Sequence, residues 1–227
     1  MSRNFFTFVL MFKHRMLKTK KMIMKKLMFS LIALAVAGSF AAFRPAHVAL
    51  EAPTWTVDAV HSSISFEVRH FFSNVLGTFD KFEGTVKFDP EDLKTSSVEF
   101  SVDVSSVNTK NERRDNHLKS ADFFDVEKWP TMSFKSTSIT KGEGENEYIV
   151  KGNMTIRDVT KEMEIPVKFL GAMPHPMRKG AYVGGFTTEF TINRTEFGVG
   201  TGNWAATTVI GDEVKVRVNV EVNRQES

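Results

Sequence analysis

The stretch V-K-V-R-V-N-V-E-V, residues 214–222, decides the fold class of this chain. Valine occupies every second position, and Lys215, Arg217, Asn219 and Glu221 stand between the valines. Successive side chains of a β-strand point to opposite faces, so the stretch predicts a strand with one apolar and one polar face. Such a strand is typical of an antiparallel sheet that is buried on one side only.

Seven stretches upstream show the same two-residue alternation. They lie at 64–70, 82–88, 98–104, 132–136, 148–156, 163–169 and 182–192. Phe79 and Phe82 are three positions apart, which predicts a bend or bulge near Asp80 in the second strand. About eight antiparallel strands that are each apolar on one side form either a sandwich of two sheets or a closed barrel.

Three positions in the apolar phase of these strands hold glycine: Gly84, Gly152 and Gly184. The interior of an eight-stranded barrel is either filled by side chains or holds one slender ligand. The glycines favour space for a ligand, but bulges or close strand crossings explain them equally well. Both interpretations stay open at this point.

The N-terminal 41 residues have the pattern of a secretory signal peptide. Basic residues precede the apolar run L-M-F-S-L-I-A-L-A-V-A, and small residues follow it. We expect cleavage near 37–41, and a start at Met22 or Met24 would give a signal of more ordinary length. A membrane anchor is the alternative, but the run is shorter than the ~20 residues needed to span a bilayer.

The rest of the chain divides into a short linker, 42–54, and one domain, 55–223. Residues 1–41 hold eight of the 30 Lys and Arg residues and none of the 27 Asp and Glu residues. The remainder is therefore mildly acidic, which argues against a nucleic-acid binder, because such proteins need a basic surface. The chain has no cysteine, which excludes a disulfide, a thiolate metal site and a lipid-modified cysteine.

Several ordered motifs of the chain resemble those of the YceI-like proteins. They are W-T-V-D-A-V-H-S-S-I-S-F-E-V-R-H at 55–70, G-T-F-D-K-F-E-G at 77–84, R-D-N-H-L-K-S-A-D-F-F-D-V-E-K-W-P-T-M-S-F-K-S at 114–136, G-N-M-T-I-R-D-V-T-K-E-M-E-I-P-V at 152–167, I-N-R-T-E-F-G-V-G at 192–200 and G-D-E-V-K-V-R-V-N-V-E-V at 211–222. The resemblance implies an all-β, lipocalin-like antiparallel barrel in the bacterial periplasm. It also implies that the barrel binds a polyisoprenoid lipid, such as an isoprenoid quinone or a prenyl phosphate, in a long apolar tunnel.

We expect the inward positions of the strands to line this tunnel. They are Phe66, Val68, His70, Phe82, Gly84, Val86, Phe100, Val102, Phe134, Val150, Gly152, Met154, Ile165, Val167, Gly184, Phe186, Phe190, Val216 and Val218. A polar end of the tunnel, formed by His70, Arg114 and His117, would meet the lipid head group.

The sequence R-R-D-N-H at 113–117 is the strongest candidate for chemistry, since a His beside a carboxylate can act in general acid–base catalysis. It lies in 111–120, the stretch that is typical of a helix, with Asn108 or Thr109 as its N-cap. On a helix, Asp115 and His117 are two positions apart and point away from each other. The chain also lacks a G-x-S-x-G nucleophile motif. These features argue against a catalytic dyad.

A structural role for the same segment stays open beside the head-group role. Arg114 and Asp115 would then bind backbone groups, while Leu118, Phe123 and Phe124 would plug one end of the barrel. Two further groups are typical of fold devices: Asp58 with His61 and Ser62 as a turn that binds its own backbone, and Arg194 at a strand end.

A metal site made of His61, His70 and His117 is conceivable, but nothing in their spacing requires one, and we expect none. We expect no cofactor and no catalytic residue. The sequence therefore predicts a periplasmic carrier of a polyisoprenoid that makes transient contact with the inner membrane. It leaves the oligomeric state open, and a homodimer is one option. The alternatives are a hydrolytic enzyme that uses Arg114 and His117, and a solid β-sandwich that serves only protein contacts.

Overall fold

A computed structural model describes residues 51–226 of the chain. The predicted signal peptide and most of the predicted linker lie outside these residues. The described part consists of eleven strands and one helix, α1 (Glu112–Lys119). The strands are β1 (Thr54–Val57), β2 (Ser63–His70), β3 (Ser73–Phe79), β4 (Phe82–Lys87), β5 (Ser97–Asp103), β6 (Val107–Asn108), β7 (Thr131–Lys141), β8 (Glu147–Ile156), β9 (Val159–Pro174), β10 (Ala181–Asn193) and β11 (Ile210–Gln225). Three 3₁₀ turns complete it, at Val104–Ser106, Arg194–Phe197 and Gly202–Trp204.

The eleven strands form a closed antiparallel barrel with eight walls, because three of the walls are interrupted strands. β1 and β2 both run along β11, β3 and β4 continue one another, and so do β5 and β6. The order around the ring is otherwise sequential, and β1 closes it by pairing with both β4 and β11. The predicted eight-stranded barrel is confirmed, and a sandwich of two separate sheets is excluded.

The bend predicted near Asp80 is confirmed, since β3 ends at Phe79 and β4 begins at Phe82. The helix predicted at 111–120 is also confirmed, but the predicted N-cap is wrong. Asn111 caps the helix, and its side-chain oxygen accepts a hydrogen bond from the Arg114 N–H at 3.0 Å. Asn108 instead accepts from the Lys110 N–H in the turn before the helix.

One end of the barrel, here called the plug end, is closed by aromatic side chains. It carries the start of β1 and the β7–β8 and β9–β10 connections. The Phe88 ring lies 5.0 Å from Tyr148, 5.2 Å from Phe169 and 5.3 Å from Phe186, measured between ring centroids. Trp55 is 4% exposed in the same cluster. Offset and edge-on rings of this kind pack a core densely and exclude water.

The other end, here called the cap end, is covered by α1 and by the long connections 120–130 and 194–209. Arg194 holds these segments together from inside, although it is only 4% exposed. Its guanidinium donates hydrogen bonds to the carbonyls of Val199, Gly200, Trp204, Ile210 and Gly211 at 2.9–3.2 Å. All five N–H donors of an arginine are thus accounted for. Burial lowers the pKa of Arg194 below its ordinary value.

The ladder between β9 and β10 stops partway along both strands. It runs from Tyr182–Pro174 to Thr187–Lys168, whereas β10 continues to pair with β11 as far as Asn193. Pro166 lies where the ladder stops, and it has no N–H to donate. Its carbonyl accepts a hydrogen bond from the Thr188 hydroxyl instead. A side-chain hydrogen bond thus joins β9 and β10 where their backbone ladder stops.

Among residues 51–226, no helix has the length and apolar character that a bilayer-spanning helix requires.

We predict that Arg194→Lys lowers the free energy of unfolding by about 3 kcal/mol or more, because each buried carbonyl left without a donor costs about 1–3 kcal/mol. Urea denaturation of the two proteins measures the difference. Arg217→Lys is the matched control, since Arg217 binds Glu189 on the exposed outer face and exposed ion pairs contribute little. Equal urea midpoints for Arg194→Lys and the wild type would contradict this role.

Candidate functional site: an apolar cavity inside the barrel

The barrel encloses a cavity of about 240 Å³ between the plug end and the cap end. Most of the residues predicted to line a tunnel border it. These are Phe66, Val68, Val86, Phe100, Val102, Phe134, Val150, Met154, Ile165, Val167, Phe186, Phe190, Val216 and Val218. Two-residue alternation identified them because a closed barrel turns one face of every strand toward its axis.

The cavity is long and narrow. Its lining follows β11 from Ile210 to Val220, which is roughly 33 Å along the strand at ~3.3 Å per residue. It ends at the cap end against Leu118, Phe123 and Phe124, the side chains predicted to plug the barrel. A chain-shaped ligand fits such a space better than a compact one.

The sequence pattern did not indicate the lining residues that lie in the segment after β10. Phe197 and Val199 border the cavity from the segment after β10, and both are almost fully buried. Arg194 borders it from the same segment. These positions belong to a 3₁₀ turn and its exit, where no strand periodicity exists to mark an inward side chain.

Most of the polar residues that border the cavity have hydrogen-bond partners within the chain. Arg194 is the one charged residue among those that border the cavity in the described chain, and backbone carbonyls engage all its donors. The Thr188 hydroxyl donates to the Pro166 carbonyl, and the Ser65 hydroxyl donates to the Arg217 carbonyl. The wall therefore offers a ligand mainly apolar contact.

Three glycines shape the wall by making room for phenylalanine rings. Gly84 lies opposite Phe100 in the β4–β5 ladder, and Gly77 lies opposite Phe66 in the β2–β3 ladder. A methyl group added at Gly84 would lie 2.7 Å from the Phe100 ring, and one added at Gly77 would overlap the Phe66 ring. Each ring thus occupies the space that a side chain at the glycine of the neighbouring strand would need. Phe66 and Phe100 also border the cavity.

Gly152 makes the same room for Phe134. A Cβ at Gly152 would lie 2.6 Å from the Phe134 ring and 2.5 Å from the Lys135 carbonyl oxygen. Space beside Gly152 is therefore occupied, and the expectation that Gly84 and Gly152 are themselves gaps for a ligand is wrong. Their effect on the lumen acts through the rings that cover them.

Two other predicted lining residues lie outside the cavity. Gly184 is at the plug end, where an added Cβ would meet the Trp55 ring at 3.3 Å. Phe82 packs on the cluster of Val102 and Val104 near the bend between β3 and β4. Both residues have the inward phase of their strands. That phase does not distinguish a position in the packed end of the barrel from one beside the cavity.

The predicted polar end of the tunnel does not form. His70 is exposed at the end of β2, and its ring packs edge-on against Phe71 at 4.8 Å. Alternate residues of β2 face the cavity as far as Val68, but His70, at the exposed end of the strand, does not. Arg114 and His117 do not border the cavity either.

Arg114 and Asp115 have the structural role that the sequence left open. The Arg114 guanidinium donates to the hydroxyl and the carbonyl of Thr109, both at 2.7 Å. Asp115 accepts the Thr109 N–H at 2.8 Å. Thr109 is 4% exposed, so these bonds satisfy backbone groups that water cannot reach.

His117 pairs with Asp122, and not with Asp115. Its Nε2 lies 3.1 Å from the Asp122 carboxylate, which also accepts the Trp204 indole N–H at 3.2 Å. The imidazole packs edge-on against the rings of Phe123 and Trp204. This cluster joins α1 to the segment 194–209 on the outer side of the cap.

The three-His grouping considered for a metal does not occur, since His61, His70 and His117 have separate partners. His61 lies in the turn between β1 and β2, where Asp58 accepts the N–H groups of Val60 and His61. The His61 Nδ1 is 3.1 Å from Asp58 and 3.7 Å from Glu221. The predicted turn is thus confirmed. The hydrogen bond to Asp58 raises the pKa of His61 and lowers the pKa of Asp58.

The YceI-like domain family model matches residues 55–222 of the chain. A UPF0312 protein of Staphylococcus aureus is 35% identical over 175 residues, which cover 76% of this chain and 98% of that protein. The crystal structure of BcnA from Burkholderia cenocepacia is 28% identical with a TM-score of 0.65, over 73% of this chain and 98% of BcnA.

Two further solved structures have the same fold. A YceI protein of Campylobacter jejuni is 28% identical with a TM-score of 0.61, over 68% of this chain and 88% of that one. A polyisoprenoid-binding domain from Saccharophagus degradans, implicated in plant cell wall breakdown, has a TM-score of 0.57 over 76% of this chain and 98% of its own. At 13% identity, the likeness to that domain concerns the fold alone.

We predict that Gly84→Ala drives the Phe100 ring into the lumen and reduces uptake of an apolar fluorescent probe. Stability should change little, because alanine favours a strand over glycine and offsets part of the cost of moving the ring. Gly185→Ala is the matched control, since its Cβ would meet its nearest neighbour at an ordinary 3.4 Å. The double variant Gly84→Ala/Phe100→Leu should regain uptake. Equal probe uptake by Gly84→Ala and Gly185→Ala would contradict the role of the glycine.

We predict that the pairing of His61 with Asp58 stabilises the protein only while His61 is protonated. Because the folded-state pKa of His61 is raised above 6.5, its contribution is complete below that value and is lost as the pH rises through the raised pKa. His61→Gln should therefore lower the Tm more at about pH 5.5 than at about pH 8.5. The same difference in Tm at both values would refute the linkage.

Proposed function

Because the chain belongs to the YceI-like family, we propose that it binds one polyisoprenoid lipid inside the barrel and carries it. The observation that supports this proposal is the long apolar cavity, whose one charged residue in the described chain, Arg194, is engaged by backbone carbonyls through all its donors. A water-soluble ligand would lose its own hydrogen bonds in such a cavity and gain none. A hydrocarbon chain would lose nothing.

The binding energy comes from burying the chain. Each CH₂-sized group moved from water into the cavity contributes ~0.8 kcal/mol. Ordering of the chain and of the cavity wall offsets part of this gain. We infer slow release, which makes the protein a carrier that needs help in loading and unloading.

The charges around the cavity favour a neutral head group. Arg194 is the charged residue on the wall, and its donors are bound by carbonyls of the cap. Arg114 and His117 bind Thr109 and Asp122 outside the cavity. A prenyl phosphate would have to leave water without a cation to meet it, which is costly. An isoprenoid quinone has no charge to compensate, and we favour it over a prenyl phosphate.

The polyisoprenoid-binding domain from Saccharophagus degradans has the same barrel. At 13% identity this shared fold supports the proposal only in outline. The stronger support is the wall of this chain, where Phe66, Phe100 and Phe134 pack against glycines and border the cavity.

We propose a binding protein and not an enzyme. The pair of His117 with Asp122 is the feature that favours the hydrolytic alternative, since a carboxylate orients a histidine in many hydrolases. However, among residues 51–226 no hydroxyl of Ser, Thr or Tyr forms a hydrogen bond to the His117 ring. The pair also lies outside the cavity, where Asp122 binds Trp204 as well. The hydrolase would be supported if the protein turned over an ester, if His117→Ala abolished that turnover, and if a variant with a filled cavity kept it.

We further propose that the protein acts in the periplasm after removal of its N-terminal segment. The support is the pattern of residues 1–41, with basic residues, a short apolar run and small residues in that order. A compartment between two membranes is also where a carrier of water-insoluble lipid has a use. N-terminal sequencing of the protein from cell fractions tests this proposal.

We predict that protein isolated from its host, when extracted with solvent, yields a neutral prenyl lipid in the mass spectrum. Val216→Trp should fold and lose that lipid, because the indole occupies the lumen at a residue that borders it. Lys215→Trp is the matched control, since it places the same side chain on the outer face of β11. Absence of prenyl lipid from the wild type, or an equal load in both variants, would contradict the proposed function.

A further inference from the structure

The turn between β2 and β3 carries two exposed phenylalanines side by side. Phe72 is 104% exposed and Phe71 is 50% exposed, and Leu76 on β3 is 67% exposed. We propose that this element, here called the aromatic tip (residues 70–76), docks the cap end of the barrel on a lipid bilayer. The proposal rests on the proposed function for its biological reason, since a carrier must meet the membrane that holds its lipid.

Phe71 has a backbone conformation that a bulky residue rarely adopts. Its φ is +50°, in the left-handed region. The other non-glycine residues of the described chain with positive φ are Lys110, Asp125, Asn146 and Arg157, all of them polar or charged. A bulky side chain in this region costs free energy, and such strain persists where a function maintains it. A glycine or asparagine would have met the needs of the turn alone.

The strained residue is held firmly in place. The Phe71 N–H donates to the Val209 carbonyl at 2.8 Å, and the Phe71 carbonyl accepts from Arg69 at 2.9 Å. The same guanidinium donates to the Thr207 carbonyl at 2.8 Å, which ties the turn to the segment before β11. These bonds fix the backbone of the tip, so little backbone ordering is needed when it meets a partner.

The aromatic tip is continuous with the cavity wall. His70 pairs with Ile210 at the start of β11, and Ile210 borders the cavity together with Val68. The ladder between β2 and β11 shifts register between Ile210 and Val214, so regular pairing is interrupted here. An apolar surface that reaches the bilayer at this point lies next to the end of the lipid site.

A bilayer fits the aromatic tip better than a protein does. A stable protein interface buries about 800 Å² on each partner, which a narrow turn with two rings does not offer. Insertion of a few aromatic and aliphatic side chains among lipid headgroups needs no matching surface, and its strength scales with the apolar area buried. Two donors of the Arg69 guanidinium are already engaged by carbonyls of the chain, so they are not free to bind a lipid phosphate.

The test mixes the wild type and each variant, isolated from the host, with phosphatidylcholine vesicles and compares the fractions of protein that sediment with the vesicles. Phe71→Gly and Phe72→Ser should each lower the fraction bound several-fold, and the double variant about tenfold or more. Phe71→Gly should also keep or raise the Tm, because glycine adopts positive φ freely. A purely structural Phe71 would instead show a lower Tm and unchanged vesicle binding.

Met177→Ser is the matched control, since Met177 is 86% exposed in the β9–β10 connection at the plug end. It should bind vesicles as the wild type does. Tip variants that sediment with vesicles like Met177→Ser would overturn the docking role. The lipid load of each variant, measured by solvent extraction, separates the two proposals. A normal load with unchanged vesicle binding refutes only the aromatic tip, whereas absence of lipid from the wild type refutes the proposed function.

Discussion

The cavity depends on the contact between inward glycines and phenylalanine rings of the neighbouring strands. Gly77 and Gly84 face Phe66 and Phe100 across their ladders. Without a Cβ at these positions the rings occupy the space beside the backbone of the neighbouring strand, and both rings border the cavity. A barrel of eight strands would otherwise be filled by such large side chains. The glycine positions thus convert what would be a solid core into a lumen with an aromatic surface.

The two ends of the barrel are closed by different physical means, and this difference places the site. Aromatic packing of Phe88 with Tyr148 and Phe186 closes the plug end with apolar contacts. At the cap end, irregular segments need partners for their buried backbone carbonyls, and Arg194 supplies five of these hydrogen bonds. Hydrogen bonds of this kind fix loops that strand pairing cannot reach. The wall between the two ends keeps an apolar surface in which no charge is left without a partner.

The sequence predicted the barrel, the bend at Asp80, the helix and most of the cavity wall, because alternation reports which face of a strand is buried. The prediction was wrong for residues that have the inward phase but do not border the cavity. Gly152 has the inward phase, but Phe134 covers it. His70 has the same phase, yet β2 has left the wall before that residue. Arg114 and His117 were predicted to form a head-group site, but they bind Thr109 and Asp122 instead. Loops bring these partners close, and alternation in the sequence does not report the path of a loop. Phe197 and Val199 border the cavity from a turn that has no period to detect.

The central claim is that the phenylalanine rings packed against the inward glycines surround a neutral polyisoprenoid chain. A crystal structure of the protein as isolated from its host tests it most directly. Continuous electron density along the barrel axis, in contact with Phe66, Phe100 and Phe134 and ending without a charged partner, is the result this account predicts. A lumen that contains ordered water, or rings that have moved inward to fill it, would contradict the account.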